Sequence, residues 1–178
     1  MKRVFSAVLV LLCAMGSATT VKPLSVEELT KRSTHVVMAQ AVNSHSEWNA
    51  EHTLIYTKTL FSTKQNLKGT LPSMFTVRQI GGSAGGYTQK VSGVRQWYAG
   101  EEAVLFLNPS EAKDGTYAVT GLMQGSFLVK NNSGGTFVSN GVPDVTALDT
   151  ATGHLSHYGG TSMSLQELLR RVVSARQP

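Results

Sequence analysis

The run Ala103-Val104-Leu105-Phe106-Leu107 constrains the fold more than any other feature outside the N-terminus. Five apolar residues, closed by Asn108-Pro109-Ser110, are too few for a helix with a buried stripe. They suit a central strand covered on both faces. Segments of similar kind recur along the chain. Residues 36–42, 74–80, 116–122 and 125–130 read as strands, 87–94 as a weak edge, and Phe137-Val138 as a short strand. Residues 54–64 place Leu54, Tyr56, Lys58 and Leu60 on one side and Ile55, Thr57, Thr59 and Phe61 on the other. Two sides of mixed polarity suit a long, curved strand of a small barrel. Residues 43–53 are polar and read as a turn carrying Trp48. Residues 136–160 show little pattern and read as an ordered surface loop.

A helix is expected at each end. Ser25-Val26-Glu27-Glu28 has the form of a capping box, and so has Ser164-Leu165-Gln166-Glu167. After the second, Leu165, Leu168, Leu169, Val172 and Val173 recur at helical spacing, with Arg170 and Arg171 opposite. The charged fraction is only 15%, where about 25% is usual, and seventeen glycines punctuate the strands. A coiled coil, a helical bundle and a disordered chain are thereby excluded. The single Cys13 excludes a disulfide scaffold, a cysteine-based zinc site and an iron–sulfur protein.

Residues 1–18 combine a basic start at Lys2-Arg3, an apolar stretch of eleven residues from Val4 to Ala14 and a small-residue exit, Gly16-Ser17-Ala18. This is the pattern of a secretory signal peptide cleaved after Ala18. The apolar stretch reaches about 16 Å as a helix, short of the ~30 Å hydrocarbon core, so no stable membrane insertion is expected after cleavage. Leu11-Leu12 before Cys13 speak against a lipid anchor. The expected product is one exported domain, 19–178, periplasmic or extracellular, with a barrel core over about 35–130 and a C-terminal loop and helix over 131–178. Its net charge falls from +5 to +3 when Lys2 and Arg3 leave, and no long basic run is present. A nucleic-acid partner is therefore not expected.

The sequence assigns no catalytic, cofactor or metal residues. His154 and His157 are three apart, a spacing that would put two imidazoles on one helical face for zinc, but the segment is glycine-flanked and carries no metalloprotease glutamate. His45 and His52 flank Trp48 on a polar stretch. Gly81-Gly82-Ser83-Ala84-Gly85 matches Gly-x-Ser-x-Gly in letters, but the stretch after it reads as a weak strand and not as the helix a nucleophile elbow opens, and 81–86 lacks the residues of a phosphate loop, reading as a hairpin or barrel-rim loop. Glu101-Glu102 read as flanking a turn, since adjacent strand residues face opposite ways. Trp48, Trp97 and Tyr98 are the aromatic residues with the most polar neighbours, and are the candidates for ligand contact. Arg95 beside Trp97-Tyr98 would also permit an oligonucleotide site, which an export signal disfavours.

The order of elements adds a resemblance. Ser33-Thr34-His35-Val36-Val37-Met38-Ala39-Gln40-Ala41-Val42, then Ile55-Tyr56-Thr57, Leu67-Lys68-Gly69, the segment 98–107 with Gly100-Glu101-Glu102, Tyr117-Ala118-Val119-Thr120-Gly121 and Gln124-Gly125-Ser126-Phe127 resemble a set of uncharacterised bacterial secreted proteins. Over about residues 25–130 the layout is also similar to the netrin-like module, the OB-type barrel of tissue inhibitors of metalloproteinases. The resemblance implies a mainly β fold, a five-stranded Greek-key barrel of OB type with a short N-terminal helix and a C-terminal amphipathic helix. Those inhibitors grip a catalytic zinc through an N-terminal cysteine held by disulfides. Here the expected mature N-terminus is Thr19 and no cysteine follows it, so the inhibitory function does not carry over. The resulting expectation is a non-enzymatic binding module for a protein or polysaccharide. The alternative is a secreted hydrolase or metal-dependent enzyme built on the His-bearing loops.

Overall fold

The computed structural model describes residues 20–141, 146–148, 152–157 and 159–176. The expected signal peptide and Thr19 lie outside these residues. The elements in chain order are β1 (Thr20–Val21), α1 (Val26–Arg32), β2 (His35–Trp48), β3 (Ile55–Lys68), β4 (Met74–Ile80), β5 (Gly82–Ala84), β6 (Tyr87–Gln89), β7 (Glu102–Pro109) and β8 (Tyr117–Val119). A 3-10 turn (Leu122–Gly125) follows, then β9 (Ser126–Asn132), β10 (Gly135–Ser139), β11 (Thr146–Leu148), β12 (Leu155–His157), β13 (Ser162–Ser164) and α2 (Leu165–Ala175).

Five strands close a barrel in the order β2-β3-β4-β8-β7 and back to β2. All these pairings are antiparallel except β4 with β8, which run parallel through Val77 and Tyr117. This is the five-stranded, OB-type Greek-key barrel that the sequence leads one to expect. β7 is the hinge of the architecture. Its first half pairs with β9 through Ala103, Val104 and Leu105, and its second half pairs with β8 through Leu107, Asn108 and Pro109. β9, β10 and β13 continue the sheet outward from β7.

The alternation along β7 separates two cores. Leu105 and Leu107 point into the barrel with Val37, Ala39, Ala41, Phe61, Phe75, Val77 and Trp97. Val104 and Phe106 point outward, where Phe127 and Val138 join them beneath Val26 and Leu29 of α1 and Leu168 and Val172 of α2. The two helices therefore lie together on the outer face of the sheet. Arg171 of α2 donates two hydrogen bonds to Glu27 of α1, at 2.7 and 2.6 Å. Both helix starts are capped by serine. Ser25 and Glu28 form the reciprocal box, and the Ser164 hydroxyl accepts from the Glu167 amide at 3.1 Å while the Glu167 carboxylate turns to Arg170. At the other end of α1, the Lys68 ammonium donates to the Thr30 and Ser33 carbonyls at 2.6 and 2.7 Å, matching a cation to the negative end of the helix dipole.

Three sequence expectations need correction. The polar residues 43–48 are not a turn: β2 runs on to Trp48, paired with β3 throughout, and the reversal occupies 49–54. The short strand read at Phe137-Val138 is β10, which extends the main sheet, but the loop expected over the rest of 136–160 also holds β11, which pairs with both β1 and β12 in a small second sheet. The weak edge expected over 87–94 is shorter, β6 alone, and forms a hairpin with β5 across Gly85-Gly86. Both glycines have positive φ, 58° and 80°, as a tight two-residue hairpin turn requires.

Candidate polar groove at the barrel mouth

The site originates in one extra residue. Ala41 pairs with Phe61 and Asn43 with Leu60, so Val42 is a bulge in β2. A bulge shifts the alternation by one, and the face that buries Ala41 and Phe61 continues as Ser44 with Thr59 and Ser46 with Thr57. The inner wall of the barrel thus changes from apolar to hydroxyl-bearing as the hairpin leaves the core. Ser44 and Thr59 hydroxyls lie 2.9 Å apart, and Ser46 and Thr57 hydroxyls 2.8 Å apart. Thr57 and Thr59 are buried, and these pairings satisfy them there.

The β5–β6 hairpin closes over this wall. Thr57 donates to the Gly81 carbonyl at 2.7 Å, the Gly81 amide donates to the Ile55 carbonyl at 2.7 Å, and the Ile55 amide donates to the Gln89 side chain at 2.7 Å. Gly82 has φ +133° and lies so close to the Ser46 and Thr57 hydroxyls that a Cβ would collide with both. After the hairpin the chain runs without regular structure through 90–98 and returns to the barrel at Trp97, whose carbonyl accepts from Ser44 at 3.3 Å. Between the hydroxyl wall, the hairpin and this returning segment lies an open groove of about 860 Å³.

The lining gives the groove its chemistry. Ser44, Ser46, Thr57, Ser83, Thr88 and Ser92 contribute hydroxyls, Gln89 and Gln96 contribute amides, and Val91, Val94 and Trp97 supply apolar surface between them. Each hydroxyl offers one donor and two acceptor lone pairs; Ser44 and Thr57 already spend their donors on the Trp97 and Gly81 carbonyls, so these two keep acceptor capacity alone. Tyr98 lines the groove at 73% exposure. Lys90 and Arg95 are its charged residues, and the lining has no carboxylate, imidazole or thiol. Arg95 is half-buried. One of its terminal nitrogens donates to the Gly141 carbonyl at 2.7 Å, while its buried Nε has no partner among the described residues. Burial pushes the Arg95 pKa down from its ordinary value, and the Glu101 charge pulls it back up.

The three aromatic candidates part company. Tyr98 is displayed at the groove. Trp97 also borders it, but its ring is buried in the barrel core, edge-on to Phe61 at 5.1 Å, with its indole N–H donating to the Ser126 hydroxyl at 3.3 Å. Trp97 is buried because the returning segment must fill the end of the barrel, and this indole fills it. Trp48 stands at the tip of β2, stacked on His52 at 5.9 Å and edge-on to Tyr87 at 5.7 Å. It clamps the β5–β6 hairpin and is not part of the lining.

Sequence reasoning missed the hydroxyl wall. Its signal was the alternation Ser44, Ser46, a strand period hidden inside a stretch that reads as a turn, matched by Thr57 and Thr59 of the strand read over 54–64. His45 and His52 are both exposed, and only His52 meets an aromatic ring. His154 and His157 do not share a helical face, because residues 155–157 form β12. Among the described residues, no three His, Cys, Asp or Glu side chains group to hold a metal, and no helix is long and apolar enough to cross a membrane. No protein-family model matches the chain, and no curated protein matches it.

Proposed function

We propose that this chain is an exported, non-enzymatic binding module that holds a polysaccharide chain in the groove at the barrel mouth. The observation that carries this reading is the lining itself: six hydroxyls, two amides and one displayed tyrosine in an open groove. Sugars present hydroxyls for hydrogen bonding and C–H faces for an aromatic ring, and this groove offers the counterpart of each. OB-type barrels take oligosaccharides on the face of their second and third strands and its flanking loops, a surface other than this groove. Fold alone does not define a function, so the weight rests on the groove.

Binding is favoured over catalysis because the lining contains no carboxylate, imidazole or thiol to act as general acid, base or nucleophile near neutral pH. A protein partner is the less favoured occupant. An extended peptide gains most of its affinity by pairing with a strand edge, whereas this groove lies against strand faces. Export follows from the reading of residues 1–18 as a cleaved signal. Inhibition of zinc metalloproteases is not part of this function, since the expected N-terminus has no cysteine to present.

A glycan array probed with purified protein tests the reading. The expected result is binding to a restricted set of polysaccharides, lost in Tyr98→Ala with the fold intact. Binding unaffected by that substitution, or no glycan bound at all, would overturn it.

A further inference from the structure

From the charge in the groove we infer that its polysaccharide ligand is acidic, with a uronate carboxylate seated on the guanidinium of Arg95. The inference rests on the reading of the groove as a polysaccharide site and specifies which class it takes.

Arg95 is the least satisfied group in the wall. A guanidinium carries five N–H donors. Among the described residues it makes one hydrogen bond, to the Gly141 carbonyl; its Nε is enclosed and out of a ligand's reach, so a ligand in the groove would meet the terminal nitrogens. A charged donor removed from water is costly until an acceptor meets it, most of all a charged one. No described carboxylate forms an ion pair with Arg95. Glu101, the acid whose charge it feels, instead accepts the Tyr98 amide at 2.9 Å.

The remaining lining points the same way. Lys90 adds a second positive charge, and no acidic side chain lines the groove to repel an anion. A low-dielectric wall lined by one sign of charge concentrates counter-ions of the other. Arginine also matches a carboxylate in shape, since its planar fork can give two parallel N–H bonds. Tyr98 lies three residues along the same segment, where an adjacent sugar ring could stack while its neighbour's carboxylate meets Arg95.

Isothermal titration of the mature protein decides the point. The probes are oligomers of galacturonate, mannuronate and glucuronate, each beside its carboxyl-reduced neutral form, with a poly-glutamate peptide as a further arm. At low salt, at least one uronate oligomer should bind about tenfold or more tighter than its reduced form, the margin a charge-assisted hydrogen bond supplies. Arg95→Gln should abolish that preference, the acidic oligomer then binding no tighter than its reduced form. Arg95→Lys, which keeps the charge without the fork, should retain part of it. Equal affinity for acidic and reduced oligomers would overturn the acidic assignment and leave the polysaccharide reading standing. A preference that survives Arg95→Gln would overturn the role of Arg95. Binding of poly-glutamate with no oligosaccharide bound in either form would overturn both readings.

Discussion

Ser44 shares a hydrogen bond with Thr59 at 2.9 Å on the same face of the β2–β3 hairpin where Ala41, three residues earlier, is buried opposite Phe61. The two pairs are separated by the bulge at Val42. One inserted residue therefore ends the barrel core and begins the polar groove on a single continuous wall. The same wall supports the β5–β6 hairpin through Thr57 and the Gly81 carbonyl, so the groove and its cover are fixed to one surface.

The closeness of that cover gives the first prediction. Gly82→Ala brings a Cβ against the Ser46 and Thr57 hydroxyls at a φ that side chains seldom adopt, and should destabilise the protein by about 1–3 kcal/mol or lift the hairpin. Gly86→Ala, at the hairpin turn with open space around it, should cost only the backbone term of about 1–2 kcal/mol. Urea denaturation of both variants ranks them. A Gly82→Ala loss no larger than that of Gly86→Ala would mean that the hairpin is not pressed on the hydroxyl wall.

Phe106 tests the double-sided strand. It meets Phe127 at 5.8 Å beneath the helices, on the opposite face of β7 from Leu105. Phe106→Ala should cost about 3–5 kcal/mol and Leu105→Ala about 2–5 kcal/mol, since each leaves a cavity in a different core. Chemical denaturation showing under about 1 kcal/mol for either would place that face of β7 at the surface.

Much of this was legible beforehand, and the limits have physical causes. The run from Ala103 to Leu107 declared a strand covered on both sides because only such a strand can be apolar at every position. Ser25 and Ser164 marked both helix starts because capping is local chemistry. The length of β2 was hidden because Val42 breaks the alternation and Ser44 and Ser46 look like turn residues. Their place on the barrel wall depends on pairing with Thr57 and Thr59, which arrive from another strand. The surroundings of Trp97 were hidden for a related reason. Its neighbours in sequence are polar, but its neighbours in space are Phe61 and the Ser126 hydroxyl. Arg95 stood out in sequence only as a cation beside aromatic residues, because its unmet hydrogen bonds are a property of the folded wall.

The helix pair predicts an acid response. The hydrogen bonds from Arg171, partly opposed by burial, lower the Glu27 pKa from 4.5 to about 2. A carboxylate with a depressed folded-state pKa contributes stability that is fully present above its unfolded value and is lost as pH falls through the folded one. The Glu27 contribution should therefore fade between about pH 4.5 and 2. The Glu27 side chain is 42% exposed, so solvent screening limits it to about 1 kcal/mol or less. In denaturant melts across this range, Glu27→Gln should be less stable than wild type at pH 6 and should converge with it near pH 2. A difference that persists undiminished at pH 2 would show that the pair does not titrate as described.

The central claim is that the polar mouth of the barrel is the ligand site, and an NMR titration tests it most directly. Amide shifts of the mature protein would be followed as an oligosaccharide identified on the array is added. Changes should concentrate at Ser44, Ser46, Ser83, Thr88, Arg95 and Tyr98, with the outer face of α1 and α2 unmoved. Changes centred on the helices, on the Trp48 and His52 tip, or on the far end of the barrel at residues 110–116 would contradict it.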